Sequence, residues 1–234
     1  LARVVILTAG GQLCNVWACI VGPSGCGKDV GNLPSRAAQA QKAAIGHAGS
    51  AEGLADAYKT NGGGLLTLSE LGPYLDPRSW QYKATGFLTQ AFNQNQAKIM
   101  LSGRNGGSRD IMYCAPSIIA NVQPNVLAST GDILLMDSGF LPRFLFSYLP
   151  DIRSWRPNTD CINITPIEEV FLSYRSIWAR VVVPQGYLQE VMDEFTANSA
   201  PLPGHYNRLV NEYGPRIATM LAVDPASPNA VAIT

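Results

Sequence analysis

The chain has 234 residues, of which 47% are hydrophobic and 15% charged, so we expect a sizeable buried core and exclude wholesale disorder. Its 17 basic and 17 acidic side chains balance, so a nucleic-acid partner would have to bind through a local basic patch. The five cysteines show no CxxC pair, which favours reduced thiols in a cytosolic protein over a disulfide framework or a zinc site.

No apolar run approaches the roughly 20 residues that a membrane-spanning helix needs, so no membrane partner is expected. The chain begins at Leu1 without an initiator Met and without the regions of a signal peptide. These features predict a fragment of a longer intracellular protein.

The first predicted elements are a buried strand, a tight turn and two helices. Residues 15–22, "NVWACIVG", form an apolar run that ends in glycine, as expected of a strand leading into a turn. The alanine-rich segment 35–48, "SRAAQAQKAAIGHA", predicts a helix. Residues 49–60 predict a second helix, with Ser50 as its N-terminal cap and Glu52 in its first turn.

The following elements are again strands that alternate with helices. Residues 62–71, "GGGLLTLSEL", predict a flexible turn and a short apolar strand, and residues 79–94 have helical spacing. "PSIIANVQP" predicts a buried strand that ends at Asn121, and the tail from Ile164 onward is expected to be mostly helical. This alternation predicts an α/β fold with a largely parallel sheet.

The segment "GPSGCGKD" has the spacing of a phosphate-binding loop, with Gly22, a four-residue spacer, Gly27 and Lys28. Glycines let the backbone wrap closely around phosphate oxygens, backbone N–H groups point inward, and the lysine reaches the β and γ phosphates. The residues expected to bind ATP are Gly22, Pro23, Ser24, Gly25, Cys26, Gly27, Lys28 and Asp29. The alternative is a surface turn that contains glycines by chance.

A second motif, "LLTLSE", follows at a suitable distance. In P-loop ATPases, the strand beside the phosphate loop ends in an acidic residue that holds Mg²⁺, often followed by a Glu that orients the attacking water. Glu70 has the position of that Glu, while Ser69 replaces the acidic residue and Asp29 replaces the usual Ser or Thr of the loop. We hypothesise that Asp29 supplies the carboxylate that Ser69 lacks, so that Asp29 and Glu70 bind Mg²⁺. The alternative is an ordinary strand end with an exposed Glu.

Two further polar residues are candidates for catalytic roles. Asn121, at a predicted strand end, is placed to contact the γ phosphate or the attacking water, or else to cap the strand. Arg143, in "FLPRFLF", is a lone cation in an apolar segment and needs an anion. It is either paired internally or offered to a phosphate as an arginine finger, which would include the phosphate of a neighbouring subunit.

A glycine-rich hairpin is predicted around residues 104–107, since Asn-Gly is a strong hairpin signal. Lys98, Arg104 and Arg109 flank its tip and could grip nucleic-acid phosphates without reading sequence. The alternative is an ordinary solvated hairpin. His47 and His205 are isolated, with no carboxylate or cysteine at ligand spacing, which argues against a metal site or a histidine-based triad.

Taken in order and spacing, five segments resemble an uncharacterised family of P-loop ATPases found in prophages and other mobile elements. The segments are "GPSGCGKD", "HAGSAEGLADAY", "LLTLSELGPYL", "APSIIANVQPNVL" and "GFLPRFLF". Members of this family accompany primase domains and look like relatives of superfamily 3 and AAA+ helicases. The resemblance covers residues 15–224.

The resemblance implies an AAA+ or RecA-like three-layer P-loop NTPase core. It implies phosphate binding by Gly22, Gly25, Gly27 and Lys28, with Asp29 at the magnesium position. It also implies catalytic roles for Glu70, Asn121 and Arg143. "YNRLVNEYGPRIATMLA" is similar to the helix that follows the core, where Arg216 would be a second sensor or a surface charge.

We therefore expect an ATPase core over residues 1–150 and a mainly helical region over residues 151–234. The expected function is an ATP- and Mg²⁺-dependent motor on single-stranded DNA, a helicase or primase-associated ATPase of a phage or mobile element. It would form a homo-oligomeric ring such as a hexamer, alongside a primase or other replication protein, in the cytoplasm of a bacterial host. The alternatives are a nucleotide-gated assembly module with weak hydrolysis, a small-molecule kinase, and a phage packaging or defence ATPase.

Overall fold

The computed structural model of the chain describes residues 5–7, 14–40, 42–46, 50–61, 63–93, 96–101, 107–112, 116–130, 138–149, 163–174, 178–180, 193, 208 and 212–222. The chain divides into a larger unit, Val16–Leu172, and a smaller unit made of Leu1–Asn15 with Ser173–Thr234. This division differs from the boundary at residue 150 expected from the sequence, because the first residues group with the C-terminal segment.

The strands of the described residues are β1 (Val5–Leu7), β2 (Trp17–Val21), β3 (Ala44–Ile45), β4 (Gly64–Leu68), β5 (Gln96–Leu101), β6 (Gly107–Met112), β7 (Pro116–Val122), β8 (Leu145–Tyr148) and β9 (Trp178–Arg180). The α-helices are α1 (Leu33–Ala40), α2 (Ala51–Asn61), α3 (Gly72–Leu75), α4 (Ala84–Asn93), α5 (Pro124–Thr130), α6 (Thr165–Tyr174) and α7 (Gly214–Ala222). In the same described residues, three 3₁₀ helices cover Lys28–Asn32, Trp80–Lys83 and Leu141–Arg143.

The larger unit is built on a five-stranded sheet in the order β3-β4-β7-β2-β8, in which every pair of neighbours is parallel. Helices flank this sheet, so the predicted α/β class with a parallel sheet is confirmed. The apolar runs predicted as strands become β2, β4 and β7, the three central strands. Central parallel strands are covered on both faces, which explains why they are nearly continuous in hydrophobic residues.

An aromatic cluster around Trp17 fills one side of the sheet. The Trp17 ring is fully buried and lies 5.0 Å from the Phe92 ring of α4, with Phe140 and Phe144 at 5.6 and 5.1 Å. Its Nε1–H donates a 2.8 Å hydrogen bond to the carbonyl of Pro116, so the one polar atom of the indole is satisfied. This cluster joins β2, β7 and α4 beneath the candidate site.

The predicted helix over residues 35–48 is wrong in its second half. Helix α1 ends at Ala40, and the chain reverses through Lys42, whose φ of 55° lies in the left-handed region. The Ala43 N–H bonds to the Ala38 carbonyl at 2.7 Å and the Lys42 N–H to the Gln39 carbonyl at 3.0 Å, which is the bonding of a Schellman cap. The chain then continues as β3, which pairs with β4.

The second predicted helix is confirmed as α2. The Ser50 side chain accepts a 3.0 Å hydrogen bond from the N–H of Gly53, as an N-terminal cap should.

The predicted hairpin is confirmed as the antiparallel pair β5–β6, whose register runs from Gln96 opposite Met112 to Leu101 opposite Gly107.

In the smaller unit, β1 and β9 form a two-stranded parallel pair, so this unit is not purely helical in its described part. Arg216 of α7 is fully buried, where a surface charge had been one expectation. Its guanidinium donates to the Oδ1 and the carbonyl of Asn15, at 2.9 and 3.0 Å.

Among the described residues, no helix combines the length and apolar character that crossing a bilayer requires.

Candidate nucleotide-binding site

The glycine-rich segment leaves the centre of the parallel sheet at the carboxyl end of β2. The Gly22 N–H donates to the Val122 carbonyl of β7 at 3.1 Å, and on the other side Leu149 donates to the Val21 carbonyl at 2.7 Å. The loop is therefore anchored to both neighbouring strands before it turns into the helical run that begins at Lys28. The carboxyl edge of a parallel sheet is where α/β folds bind ligands.

Glycine is needed at several positions of this loop for different reasons. Gly25 and Gly27 have φ values of 78° and 85°, which other residues rarely adopt. Gly22 has ordinary φ, but a Cβ atom there would lie 2.6 Å from the Sγ atom of Cys26, which is buried under the loop. The loop shape therefore depends on these glycines, as a phosphate cradle would require.

The ammonium group of Lys28 lies inside the loop. Its Nζ donates to the carbonyl of Gly22 at 2.8 Å and to the carbonyl of Pro23 at 2.6 Å. The lysine therefore places its positive charge at the centre of the turn, and the third N–H bond of its ammonium has no acceptor among the described residues. An oxyanion at that point would meet a charge already held in position.

The loop backbone also offers donors. Within the described part of the chain, the N–H groups of Ser24, Gly25 and Gly27 have no protein acceptor, whereas the Cys26 N–H turns back to the Pro23 carbonyl at 3.4 Å. Ser24 and Gly25 are exposed. Exposed backbone donors around an ammonium group form the kind of nest that binds phosphate oxygens.

Asn121 lies next to this loop, on the adjacent strand. It is 2% exposed, and its Oδ1 atom is buried with no hydrogen-bond partner in the described part of the chain. Its register partner on β2 is Ile20, so both side chains leave the same face of the sheet. The strand runs one residue further than predicted, to Val122. A buried amide oxygen without a partner is uncommon and points to a ligand or water that completes it.

The expected position of the second motif needs one correction. Strand β4 is not the direct neighbour of β2, because β7 lies between them. Ser69 and Glu70 follow the end of β4 and are both exposed. The next residue, Leu71, donates a 2.8 Å hydrogen bond to the Asn121 carbonyl, so Glu70 and Asn121 reach the same edge of the sheet.

Asp29 is the central residue of the Mg²⁺ hypothesis. The backbone of Asp29 belongs to the 3₁₀ helix Lys28–Asn32, and its side chain lies outside the described residues. Within the ranges that the structure describes, no group of three or more His, Cys, Asp and Glu side chains is arranged to hold a metal ion. A Mg²⁺ ion bound through one or two carboxylates and substrate phosphates would not need such a group.

Arg143, expected either to form an internal salt bridge or to be offered to a phosphate, contacts a carbonyl and an aromatic ring inside the fold. It is 8% exposed at the end of the 3₁₀ helix Leu141–Arg143, and its Nη1 donates to the carbonyl of Gly139 within the same turn. Its guanidinium also lies 5.4 Å from the centre of the Phe92 ring, a cation–π contact. In this arrangement Arg143 braces the turn before β8 and is not presented at the surface.

The candidate DNA-binding residues are placed only in part. Lys98 pairs with Asp110 across the β5–β6 ladder, and Arg109 pairs with Ile99. The side chains of Lys98 and Arg109 and the whole of Arg104 lie outside the described residues. Gly107, expected at the tip, is the first residue of β6.

Sequence reasoning missed strand β8, which borders the loop strand. The aromatic residues Phe146 and Tyr148, which are common in strands, were the available signal in this segment. Sequence reasoning also missed Gly31, where a Cβ atom would overlap the Cδ1 atom of Ile20. A second glycine so soon after the phosphate-loop motif could have indicated this close approach of helix and strand.

Comparison of the chain with protein-family models and with curated protein sequences finds no match. The nucleotide-binding site therefore depends on the geometry of the loop alone, and membership of the prophage ATPase family stays an expectation.

Proposed function

We propose that the chain is a P-loop NTPase with an AAA+ or RecA-like core, which binds and hydrolyses ATP at the loop Gly22–Lys28. The observation that carries the proposal is the loop itself, at the carboxyl end of a central parallel strand. It combines backbone N–H groups that have no acceptor among the described residues with the ammonium group of Lys28. In this proposal the phosphates take the place of the Gly22 and Pro23 carbonyls as partners of Lys28. Hydrogen bonds to charged groups are the stronger ones, which favours the exchange.

Hydrolysis needs groups that orient water beyond the γ phosphate. Asn121 lies on β7, next to the loop strand β2, and its amide oxygen has no partner among the described residues. Glu70 follows the end of β4, the next strand of the sheet. In the proposed mechanism Glu70 accepts a hydrogen bond from the attacking water, and Asn121 contacts that water or the γ phosphate. Mg²⁺, held by Asp29 and Glu70 with the phosphates, would neutralise charge that develops on them. Arg143 is left out of this set, since it is bonded within its own turn.

The test is ATP binding and phosphate release by the wild-type chain and by Lys28→Ala. Lys59→Ala is the matched control, because Lys59 is an exposed lysine of α2 in the same unit. Lys28→Ala should weaken ATP binding by at least about tenfold, the cost of one hydrogen bond to a charged group. ATP binding that is equal in Lys28→Ala and Lys59→Ala would contradict a phosphate-binding role for this loop.

The work that hydrolysis drives is proposed from the resemblance, as motion along single-stranded DNA in replication of a phage or mobile element. Lys98, Arg104 and Arg109 are the proposed contacts on the β5–β6 hairpin. Phosphate release should rise when single-stranded DNA is added. Neutralising Arg104 and Arg109 together should weaken DNA binding and flatten its salt dependence, while Arg78→Ala, at an exposed arginine elsewhere, should not. Turnover that ignores DNA would favour the nucleotide-gated assembly module instead.

A further inference from the structure

A cavity of about 560 Å³ lies beside the phosphate-loop candidate, at the carboxyl end of β3 and β4. Gly46, which follows β3, and Ser69, which follows β4, both line it. Its volume falls within the range of roughly 300–1,000 Å³ typical of small-molecule sites. The position also fits, because open parallel sheets bind ligands beyond the carboxyl ends of their strands.

The helical wall of this cavity is polar. Four polar residues line it at positions i, i+3, i+4 and i+7 of the run from Lys28 to Ala40, and so share one side: Asn32, Ser35, Arg36 and Gln39. The same run buries Leu33, Ala37 and Ala38 as its apolar contact. Across the cavity, Thr67 and Ser69 present hydroxyl groups from β4 and its end.

Two oxygens in the cavity wall lack partners. The Oδ1 atom of Asn32 and the Oγ1 atom of Thr67 are each buried with no hydrogen-bond partner in the described part of the chain. Buried polar atoms are almost always satisfied, and an exception calls for a ligand or an ordered water. Two exceptions in facing walls of one cavity indicate that its natural content is polar.

The charged groups of the lining are both basic. Arg36 and Lys42 line the cavity, and none of the described residues of its lining is acidic. An anion is therefore the favoured occupant, with hydroxyl groups that can bond to the amide and hydroxyl side chains of the walls. Phosphate monoesters of nucleosides and sugars combine these features.

We propose that this cavity is a second ligand site, which binds a small phosphorylated molecule with hydroxyl groups, of about the size of a nucleoside monophosphate. Asn32 follows Lys28 by four residues on the same helical run, which is roughly 8 Å at the 3₁₀ rise of about 2 Å per residue. The second site is therefore a neighbour of the ATP site, and of its lining residues only Ser69 also has a position in the Mg²⁺ hypothesis. Its occupancy does not depend on Lys28, so it goes beyond the proposed function.

The test is isothermal titration of the chain with AMP, UMP and dTMP, in the wild type and in Lys28→Ala. At least one of these probes should bind both chains with equal affinity. Arg36→Gln and Lys42→Asn should each weaken that binding by about tenfold, as expected for a lost charged partner. Asn is chosen at position 42 because it tolerates the left-handed backbone found there. Lys59→Gln and Arg78→Gln, at exposed cations outside the lining, should bind like the wild type.

Each alternative result overturns the proposal. No saturable binding of any probe means that the cavity holds only water, and binding lost in Lys28→Ala means that the probe occupied the phosphate loop. A further variant separates binding from folding. Thr67→Val keeps the shape of the side chain and removes an unpaired hydroxyl, so it should melt at the same or a higher temperature while it binds the probe more weakly. Wild-type affinity in Thr67→Val would contradict the site.

Discussion

The Oδ1 atom of Asn121 lies 3.6 Å from the point that a Cβ atom on Gly31 would occupy. Ile20, the register partner of Asn121, reaches the same point with its Cδ1 atom. A Cβ atom at position 31 would therefore be in van der Waals contact with the Asn121 amide and would displace the end of the Ile20 side chain, so the helical run behind the loop packs directly on β2 and β7. This close approach keeps a buried amide oxygen next to the loop, where a nucleotide's terminal phosphate or its attacking water would be.

Replacing Asn121 should therefore separate stability from activity. Asn121→Leu removes a buried oxygen that has no partner in the described part of the chain, so the free energy of unfolding should stay level or rise by about 1 kcal/mol. The same change should lower the rate of ATP hydrolysis and leave ATP binding nearly intact. Urea unfolding and phosphate release measure the two effects. A large loss of stability with full hydrolysis would mean that the amide is a structural group.

The central strands and the loop could be predicted from the sequence because their signals are local. β2, β4 and β7 are apolar runs bounded by Gly, Pro or polar residues, and the GxxxxGK spacing fixes Lys28 at a loop. The edge strand β3 could not be predicted in the same way. Its two residues follow an alanine-rich segment of high helix propensity, and only the Schellman cap at Lys42 and the pairing with β4 make them a strand.

The arrangement of the site was harder to predict than its parts. The order of strands in a parallel sheet is set by crossover connections, so the sequence did not reveal that β7 lies between β2 and β4. Arg143 posed a similar problem, because a lone cation in an apolar segment fits both an internal and an external partner. Its contacts with Gly139 and Phe92 depend on how the turn packs against α4.

The close approach at Gly31 predicts a coupling between Gly31 and Ile20. Gly31→Ala alone should destabilise the chain by about 1–3 kcal/mol, because the new methyl group overlaps Ile20 Cδ1. In an Ile20→Val background, which lacks that atom, the same change should cost much less. Urea unfolding of the four chains gives the coupling energy, which should be at least about 1 kcal/mol.

Gly86→Ala is the matched control for this cycle. Gly86 is an exposed residue of α4, and no atom lies within 4 Å of its Cβ position. Alanine there should stabilise the chain by roughly 0.5–1 kcal/mol through helix propensity alone. Simple additivity of Gly31→Ala and Ile20→Val would contradict the packing described here.

Buried thiols predict a loss of stability in alkali. Burial raises the pKa of the Cys19 thiol from 9.0 to about 12 and that of Cys14 to about 11. Below pH 9 both thiols stay protonated in the folded and the unfolded chain, so they leave stability unchanged. Above pH 9 the unfolded chain ionises first, so stability should fall by up to about 1.4 kcal/mol per pH unit for each thiol, up to about pH 11 for Cys14 and about pH 12 for Cys19.

Urea unfolding at pH 8, 9 and 10.5 measures this slope in the wild type and in Cys19→Ala. The variant should be less stable at pH 8, since it leaves a small cavity beside β7, and should show a shallower decline above pH 9. Parallel declines in the two chains would assign the alkaline loss to other groups, of which Tyr74, with its pKa raised to about 12 by burial, is one.

The proposed exchange of a carboxylate between positions 69 and 29 predicts how nucleotide binding should depend on Mg²⁺. A carboxylate about 4 Å from a phosphate charge costs roughly 4 kcal/mol at an effective dielectric constant of 20, unless a divalent ion lies between them. ATP binding by the wild type should therefore be weak in EDTA and recover with Mg²⁺. Asp29→Ser should bind ATP better in EDTA but hydrolyse it more slowly, because the ion has lost a ligand.

The double variant Asp29→Ser/Ser69→Asp restores the usual order of the two residues and should regain Mg²⁺-dependent hydrolysis. Ser69→Asp alone is the control, since it adds a carboxylate without removing one. Full hydrolysis by Asp29→Ser, or none by the double variant, would show that the two positions do not exchange roles at the ion.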